Sequence, residues 1–225
     1  MLQKLFEIFG YGLCHQLPER SLFSAGFQLP VCARDTGIYL GFVISLALIA
    51  LLARGRRPTA LPSWPLITLG ALFVGTMAVD GFSSYSGLRT TTNDIRILTG
   101  LLTGYALPLV AVPIVNSQMW RTASDDRPLP RMADVIVWLL SIPLAFAALR
   151  WGLAYTGIVY PILVVVAVLM TFVCVNLVFV CLVPRFERVA GRLRDAWPQL
   201  LIALILTVAQ LGVAGVLRLF LEGLA

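Results

Sequence analysis

Charge is scarce in this sequence, and histidine is nearly absent. Aspartate, glutamate, lysine and arginine make up 12% of the 225 residues, and histidine occurs once. A water-soluble domain carries roughly twice that share of charge, so most of this chain is not built to face water. The lone histidine, His15, stands between Cys14 and Gln16, which leaves no serine–histidine–acid set to defend. There is no glycine-rich phosphate loop and no Cys-x-x-Cys-His haem attachment. No internal repeat and no soluble domain is visible, so residues 1–225 read as a single membrane domain. A cleavable signal peptide is not expected. Residues 2–13 are short, mix Lys4 and Glu7 with Leu2, Leu5, Phe6, Ile8 and Phe9, and precede no small-residue cleavage site. Their spacing fits a short amphipathic helix in a membrane interface, with an unstructured tail as the alternative.

What fills the chain is apolar: 59% of residues are hydrophobic and the mean hydropathy is +0.90. Six runs, at about 36–53, 64–79, 95–115, 133–149, 158–183 and 197–217, approach or exceed the ~20 residues a helix needs to cross a bilayer. The expected fold class is therefore all-α, a polytopic helical membrane protein with about six transmembrane helices. Arg54, Arg56 and Arg57 follow the first run. Arg121, Arg127 and Arg131 follow the third, and Arg185, Arg188, Arg192 and Arg194 precede the sixth. These ten basic residues share one side, against seven on the other: Lys4, Arg20, Arg34, Arg89, Arg96, Arg150 and Arg218. The positive-inside rule makes the ten-residue side cytoplasmic. Both termini are then expected to be extracytoplasmic, in a multi-pass protein of the cell's inner (plasma) membrane. The pI near 9.5 needs no nucleic-acid partner. Its excess is loop arginine facing anionic membrane lipids, with no soluble basic patch to bind nucleic acid.

This topology puts two polar clusters on the outer side. One lies in the N-terminal segment, residues 1–35; the other runs from Asp80 to Arg96, between the second and third spans. In the third span Asn93 or Thr92 can cap the helix, with Asp94 in its first turn. Thr92, Arg96, Thr99, Gly100, Thr103 and Gly104 then fall on one helical stripe. In the first span Gly37, Gly41 and Ser45 repeat every four residues, a close-packing face. Packing the first three spans together (residues 36–115) would join the two clusters in one outward-facing pocket, with spans four to six (133–217) beside them. The glycines need no role beyond packing. Arg96 and Asp80 either form a mutual buried ion pair or serve a site, since charges embedded in a membrane are functional by default. Pro108 and Pro113 are expected to kink the inner half of the third span.

Cys174 and Cys181 sit seven apart in the fifth span and read as small core residues. Cys14, His15, Cys32 and Asp35 stand next to charges, and three chemistries compete for them. Cys14 and Cys32 could close a disulfide in an oxidising compartment. The four residues together offer thiolate, imidazole and carboxylate, a set suited to Zn2+. Or the imidazole could activate a neighbouring thiol.

The runs Cys14-His15-Gln16-Leu17-Pro18-Glu19-Arg20-Ser21 and Leu29-Pro30-Val31-Cys32-Ala33-Arg34-Asp35-Thr36-Gly37-Ile38-Tyr39-Leu40-Gly41 resemble the signature of domain of unknown function 2085, a family of predicted bacterial and archaeal membrane proteins. Asp80-Gly81, Gly87-Leu88-Arg89, Thr92-Asn93, Arg96 and Thr99-Gly100 are similar to its second motif. In the family pattern the position of Asp35 is usually a third cysteine. A zinc site survives that exchange, whereas a Cys-x-x-Cys redox pair does not. The resemblance therefore implies metal binding over thiol–disulfide redox chemistry, and it implies no activity.

Arginine forks suit phosphate and carboxylate. The expected site is an outward-facing pocket with a metal on Cys14, His15, Cys32 and Asp35. Anion-binding groups would be Arg20, Arg34, Arg89, Asn93 and Arg96, with Asp80 as candidate base. Its ligand would be an anionic lipid headgroup or lipid-linked phosphate, and catalysis is left open. Two alternatives stand beside it: a small-molecule or ion transporter, and a non-catalytic subunit capped by a Cys14–Cys32 disulfide. Gly37, Gly41, Thr99, Gly100 and Gly104 are the expected helix-packing residues.

Overall fold

A computed structural model describes residues 2–223, and the chain ends, residues 1, 224 and 225, lie outside the described residues. A short helix, α1 (Leu2–Tyr11), precedes a β-hairpin, β1 (Ser21–Ser24) and β2 (Phe27–Cys32). Six further helices follow: α2 (Ala33–Leu52), α3 (Trp64–Tyr85), α4 (Asn93–Met119), α5 (Met132–Ala147), α6 (Val159–Cys181) and α7 (Trp197–Glu222). With α5 prolonged through a π turn and a 3-10 turn to Tyr155, each of the six is long and apolar enough to cross a membrane. This is a polytopic helical membrane protein. The helices match the apolar runs of the sequence to within a few residues, and α4 stays helical through Pro108 and Pro113.

The hairpin is the element the apolar pattern does not announce. Its two-residue turn places Ala25 and Gly26 at φ 44° and 91°, the left-handed region that a tight hairpin turn requires. Glycine takes that region freely and alanine does not. The Ala25 amide donates to the Ala154 carbonyl at 3.1 Å, and the Ser24 hydroxyl to Leu153 O at 2.9 Å. The end of the α5 extension thus holds the turn in place.

The centre of the bundle is the α2–α4 pair, which meets backbone to backbone. A Cβ on Gly37 would stand 2.5 Å from Ile97 O, and one on Gly41 2.9 Å from Leu101 O. From the other helix, a Cβ on Gly100 would stand 2.0 Å from Arg34 O and one on Gly104 2.3 Å from Ile38 O. Small residues at four-residue spacing on both helices permit this approach, because association inside a bilayer depends on close packing rather than on a hydrophobic drive. Ser45, next on the α2 stripe, donates to Tyr105 O at 2.9 Å and accepts from Trp138 Nε1 at 2.9 Å. That contact brings fully buried Trp138 of α5 against the pair. On the far side α6 and α7 are joined by Asn176, which donates to Thr207 Oγ1 at 2.9 Å and Gln210 Oε1 at 3.3 Å. Such pairing satisfies amides that lipid cannot.

At one end of the bundle the α2–α3, α4–α5 and α6–α7 loops are laced together. The Arg57 guanidinium lies 3.8 Å from the centre of the Trp120 ring and donates to Gly191 O at 2.9 Å. Thr59 N donates to Ser124 O, Arg121 N to Ala190 O, and Arg188 N to Gln118 O. Asn116 Nδ2 closes on Pro58 O at 2.9 Å. The hairpin and the α3–α4 connection occupy the opposite end.

Candidate metal and anion site

Strand β2 runs directly into α2, and Cys32 is the joint: its φ of −65° and ψ of 165° are those of a helix N-cap. Asp35 is then the third helical residue, the position whose side chain lies beside that of the N-cap. Cys32 Sγ donates to Asp35 Oδ2 at 3.3 Å. Cys14, arriving from the turn after α1, completes a group in which both sulfurs and a carboxylate oxygen lie within 4.8 Å of one another. Cys14 and Cys32 are free thiols. His15 does not join them: it is exposed and lies outside the group. The four-ligand set expected from sequence is therefore three residues in the structure.

Asp80 organises the second cluster. Its Oδ2 accepts from Arg34 Nη2 at 2.5 Å and from Thr99 Oγ1 at 3.4 Å; its Oδ1 accepts from Arg89 Nη2 at 2.7 Å and Thr91 Oγ1 at 3.0 Å. With 2% of its side chain exposed, it is a buried node joining α2, α3, α4 and the loop between the last two. Two expectations change. The partner of Asp80 is Arg34, with Arg89, and not Arg96. As a base Asp80 is poorly placed, since both its oxygens already accept from cationic or hydroxyl donors. It positions Arg34.

Arg96, one turn into α4, donates instead to Asn93 Oδ1 at 3.1 Å, while Asn93 Nδ2 donates to Ser21 O at 3.2 Å. Thr92, not Asn93, caps the helix, accepting from Ile95 N at 3.3 Å. Asn93 thus ties α4 to the hairpin.

A cavity of about 410 Å³ lies where the clusters meet. Its lining brings together Cys14, Cys32 and Asp35 with Arg20, Arg34 and Arg96, and includes His15 and Tyr85. Arg20 is set by Tyr85, whose ring centre lies 5.6 Å from its guanidinium carbon. Arg34 Nε is buried and meets no acceptor among the described residues. Of the five residues expected to bind an anion, three line this cavity. Arg89 is drawn to Asp80 and Asn93 to the hairpin. Hydrogen bonding with Cys32 lowers the Cys14 thiol to about 7, outweighing burial. Cys32 is pushed well above the usual thiol range by that same contact, by burial and by the nearby Asp35 carboxylate.

Arg218, near the end of α7, is a site-supporting residue that charge counting treats only as an outer cation. Its Nη1 donates to Tyr11 O and Cys14 O at 2.6 Å each, its guanidinium carbon lies 4.2 Å from the Tyr11 ring centre, and its Nε donates to Glu222 at 2.7 Å. Tyr11 also donates to Glu222. The last helix thereby fixes the backbone at Cys14. The i, i+4 pair Arg218–Glu222, left at the end of an apolar run, is the sequence signal for such a clasp.

Fold and site together define a helical integral membrane protein with a polar cavity built at one end of its first three spans. The pattern of predicted membrane proteins termed DUF2085 matches residues 14–110, a stretch that begins at Cys14 and contains every residue of both clusters. An uncharacterized protein of Methanocaldococcus jannaschii is 31% identical over 109 residues, covering 48% of this chain and 67% of its own length. One from Methanothermobacter thermautotrophicus is 36% identical over 98 residues, 44% of this chain and 83% of its own length. This chain belongs to the DUF2085 family. No solved structure matches it.

Proposed function

We propose that this protein binds a divalent metal such as Zn2+ through Cys14, Cys32 and Asp35 and, beside it, the anionic headgroup of a membrane lipid or lipid-linked phosphate through Arg20, Arg34 and Arg96. One observation carries the reading: the three candidate ligands and the three arginines line the same cavity. The donor set fits the metal, since thiolate and carboxylate together suit zinc. When bound, the ion supplies a Lewis acid that polarises an oxygen of the anion. The chain's own contribution is placement. Asp80 steers Arg34, Asn93 steers Arg96, and Tyr85 steers Arg20, so that three cationic groups converge without reorganising.

Elemental analysis of the purified protein tests this directly. Wild type should carry about one zinc per chain, and Cys32→Ser and Asp35→Ala should lose most of it. Equal metal content in all three would overturn the reading.

The site faces away from the cytosol in this proposal, because the ten-arginine end is drawn to the cytoplasmic side. A membrane-impermeant maleimide added to intact spheroplasts should therefore label Cys14. In chelator-treated protein its rate should rise as pH climbs through about 7 and flatten above, since the thiolate is the reacting form. Cys32 keeps its proton and should stay unlabelled in that range. Labelling only after permeabilisation would reverse the assigned orientation.

A further inference from the structure

A second cavity, of about 680 Å³, lies between α1 and α7. Its walls include Ile8 and Tyr11 of α1, Leu29 of β2, and Leu211, Val216 and Leu219 of α7. His15 and Gln16 line both this groove and the arginine cavity, so the two are neighbours across a two-residue wall. The groove is mainly apolar in its walls, and α7 is one of the least covered helices, exposing Leu204, Val208, Val213 and Leu217. It therefore opens toward the bilayer. The level is set by α1, whose exposed Leu2, Leu5 and Ile8 suit a helix lying at the boundary between headgroups and acyl chains.

We infer that this groove holds one hydrocarbon chain of the anionic lipid whose headgroup occupies the arginine cavity. The inference rests on the headgroup site proposed above and narrows its ligand to a membrane amphiphile entering sideways between α1 and α7. Polarity changes between the two: three arginines line the headgroup cavity, whereas the groove carries an aliphatic strip of Ile8, Leu29, Leu211, Val216 and Leu219, with Glu7 and Arg218 among its polar lining residues. The size falls within the roughly 300–1,000 Å³ usual for ligand pockets. The walls are braced rather than loose. A Cβ on Gly12 would stand 2.6 Å from Gly215 N, and Tyr11 and Glu222 are hydrogen-bonded beyond it. Gly212 and Gly215 line the groove, and a Cβ on either meets nothing within 4 Å. A side chain added there fills the groove without displacing the fold.

The test is calorimetry in one detergent with two water-soluble probes, inorganic phosphate and hexyl phosphate. Wild type should bind hexyl phosphate about tenfold or more tightly than inorganic phosphate, because methylenes leave water. Gly212→Phe should abolish that gain and leave inorganic phosphate unchanged; Gly215→Leu should do the same. Arg96→Gln should weaken both probes. Equal affinity for the two probes in wild type, or a gain that survives Gly212→Phe, overturns the groove and leaves the headgroup site standing. Binding of neither probe overturns the headgroup site and the groove with it. A Gly212→Phe protein that falls from dimer to monomer by light scattering would instead assign the groove to a second copy of the chain, and would overturn the inference.

Discussion

Gly100→Ala is expected to cost about 3 kcal/mol or more, the upper range for overpacking a tight interior. An added Cβ would stand 2.0 Å from the Arg34 carbonyl oxygen. That atom belongs to helix backbone, so no side-chain rotation relieves the clash and α2 must move away from α4. Gly104→Ala should behave alike, its Cβ falling 2.3 Å from Ile38 O. Gly75→Ala in α3 is the control, with nothing within 4 Å, and it removes a glycine from a helix at no steric cost. Thermal unfolding in detergent reads all three. Because Arg34 itself is pushed, Gly100→Ala should also lower zinc content, which Gly75→Ala should not. A wild-type midpoint for Gly100→Ala would show that the two backbones do not meet as described.

The second large effect is at Asp80. Removing the carboxylate by Asp80→Ala leaves the Arg34 guanidinium, 11% exposed, without its ion-pair partner, and breaking a buried pair from one side costs about 3–5 kcal/mol. Arg89 is different. Its side chain is 48% exposed and can turn to solvent, so Arg89→Ala should cost under about 1 kcal/mol. The double change Arg34→Met with Asp80→Leu should recover much of the loss, because no charge is then stranded. Additive losses from Arg34→Met and Asp80→Leu would mean that the pair is not coupled. The same unfolding measurement separates positioning from proton transfer, since a catalytic base can be removed with little effect on stability.

The crossings were legible because a bilayer imposes a length of apolar chain that soluble structure does not, and the glycine and threonine stripes were legible because helical periodicity puts them on one face. Those two patterns imply the meeting of the clusters around residues 14–37 and 80–96. What could not be read was the direction of individual side chains. His15 is adjacent to Cys14 in sequence but is exposed and lies outside the thiol–carboxylate group. Sequence offers Arg96 as one possible ion-pair partner of Asp80, yet Arg34, two residues past the hairpin, takes that place. The hairpin itself escaped detection. Its strands are short, β2 contains Pro30, and its turn is Ala-Gly rather than a typical turn pair. Arg218 was out of reach for another reason: its partner carbonyls lie more than two hundred residues away in the chain.

The lacing of the three arginine-rich loops bears on traffic through the molecule. A carrier working by alternating access has to unlatch each face in turn. Here one face is cross-stitched by backbone amides, by the Asn116 amide and by Arg57 stacked on Trp120, and those bonds would all have to be remade in every cycle. Both cavities described above lie at the opposite end, so a ligand of the kind proposed would reach them with those bonds intact. On that reading, entry and exit share one end of the bundle.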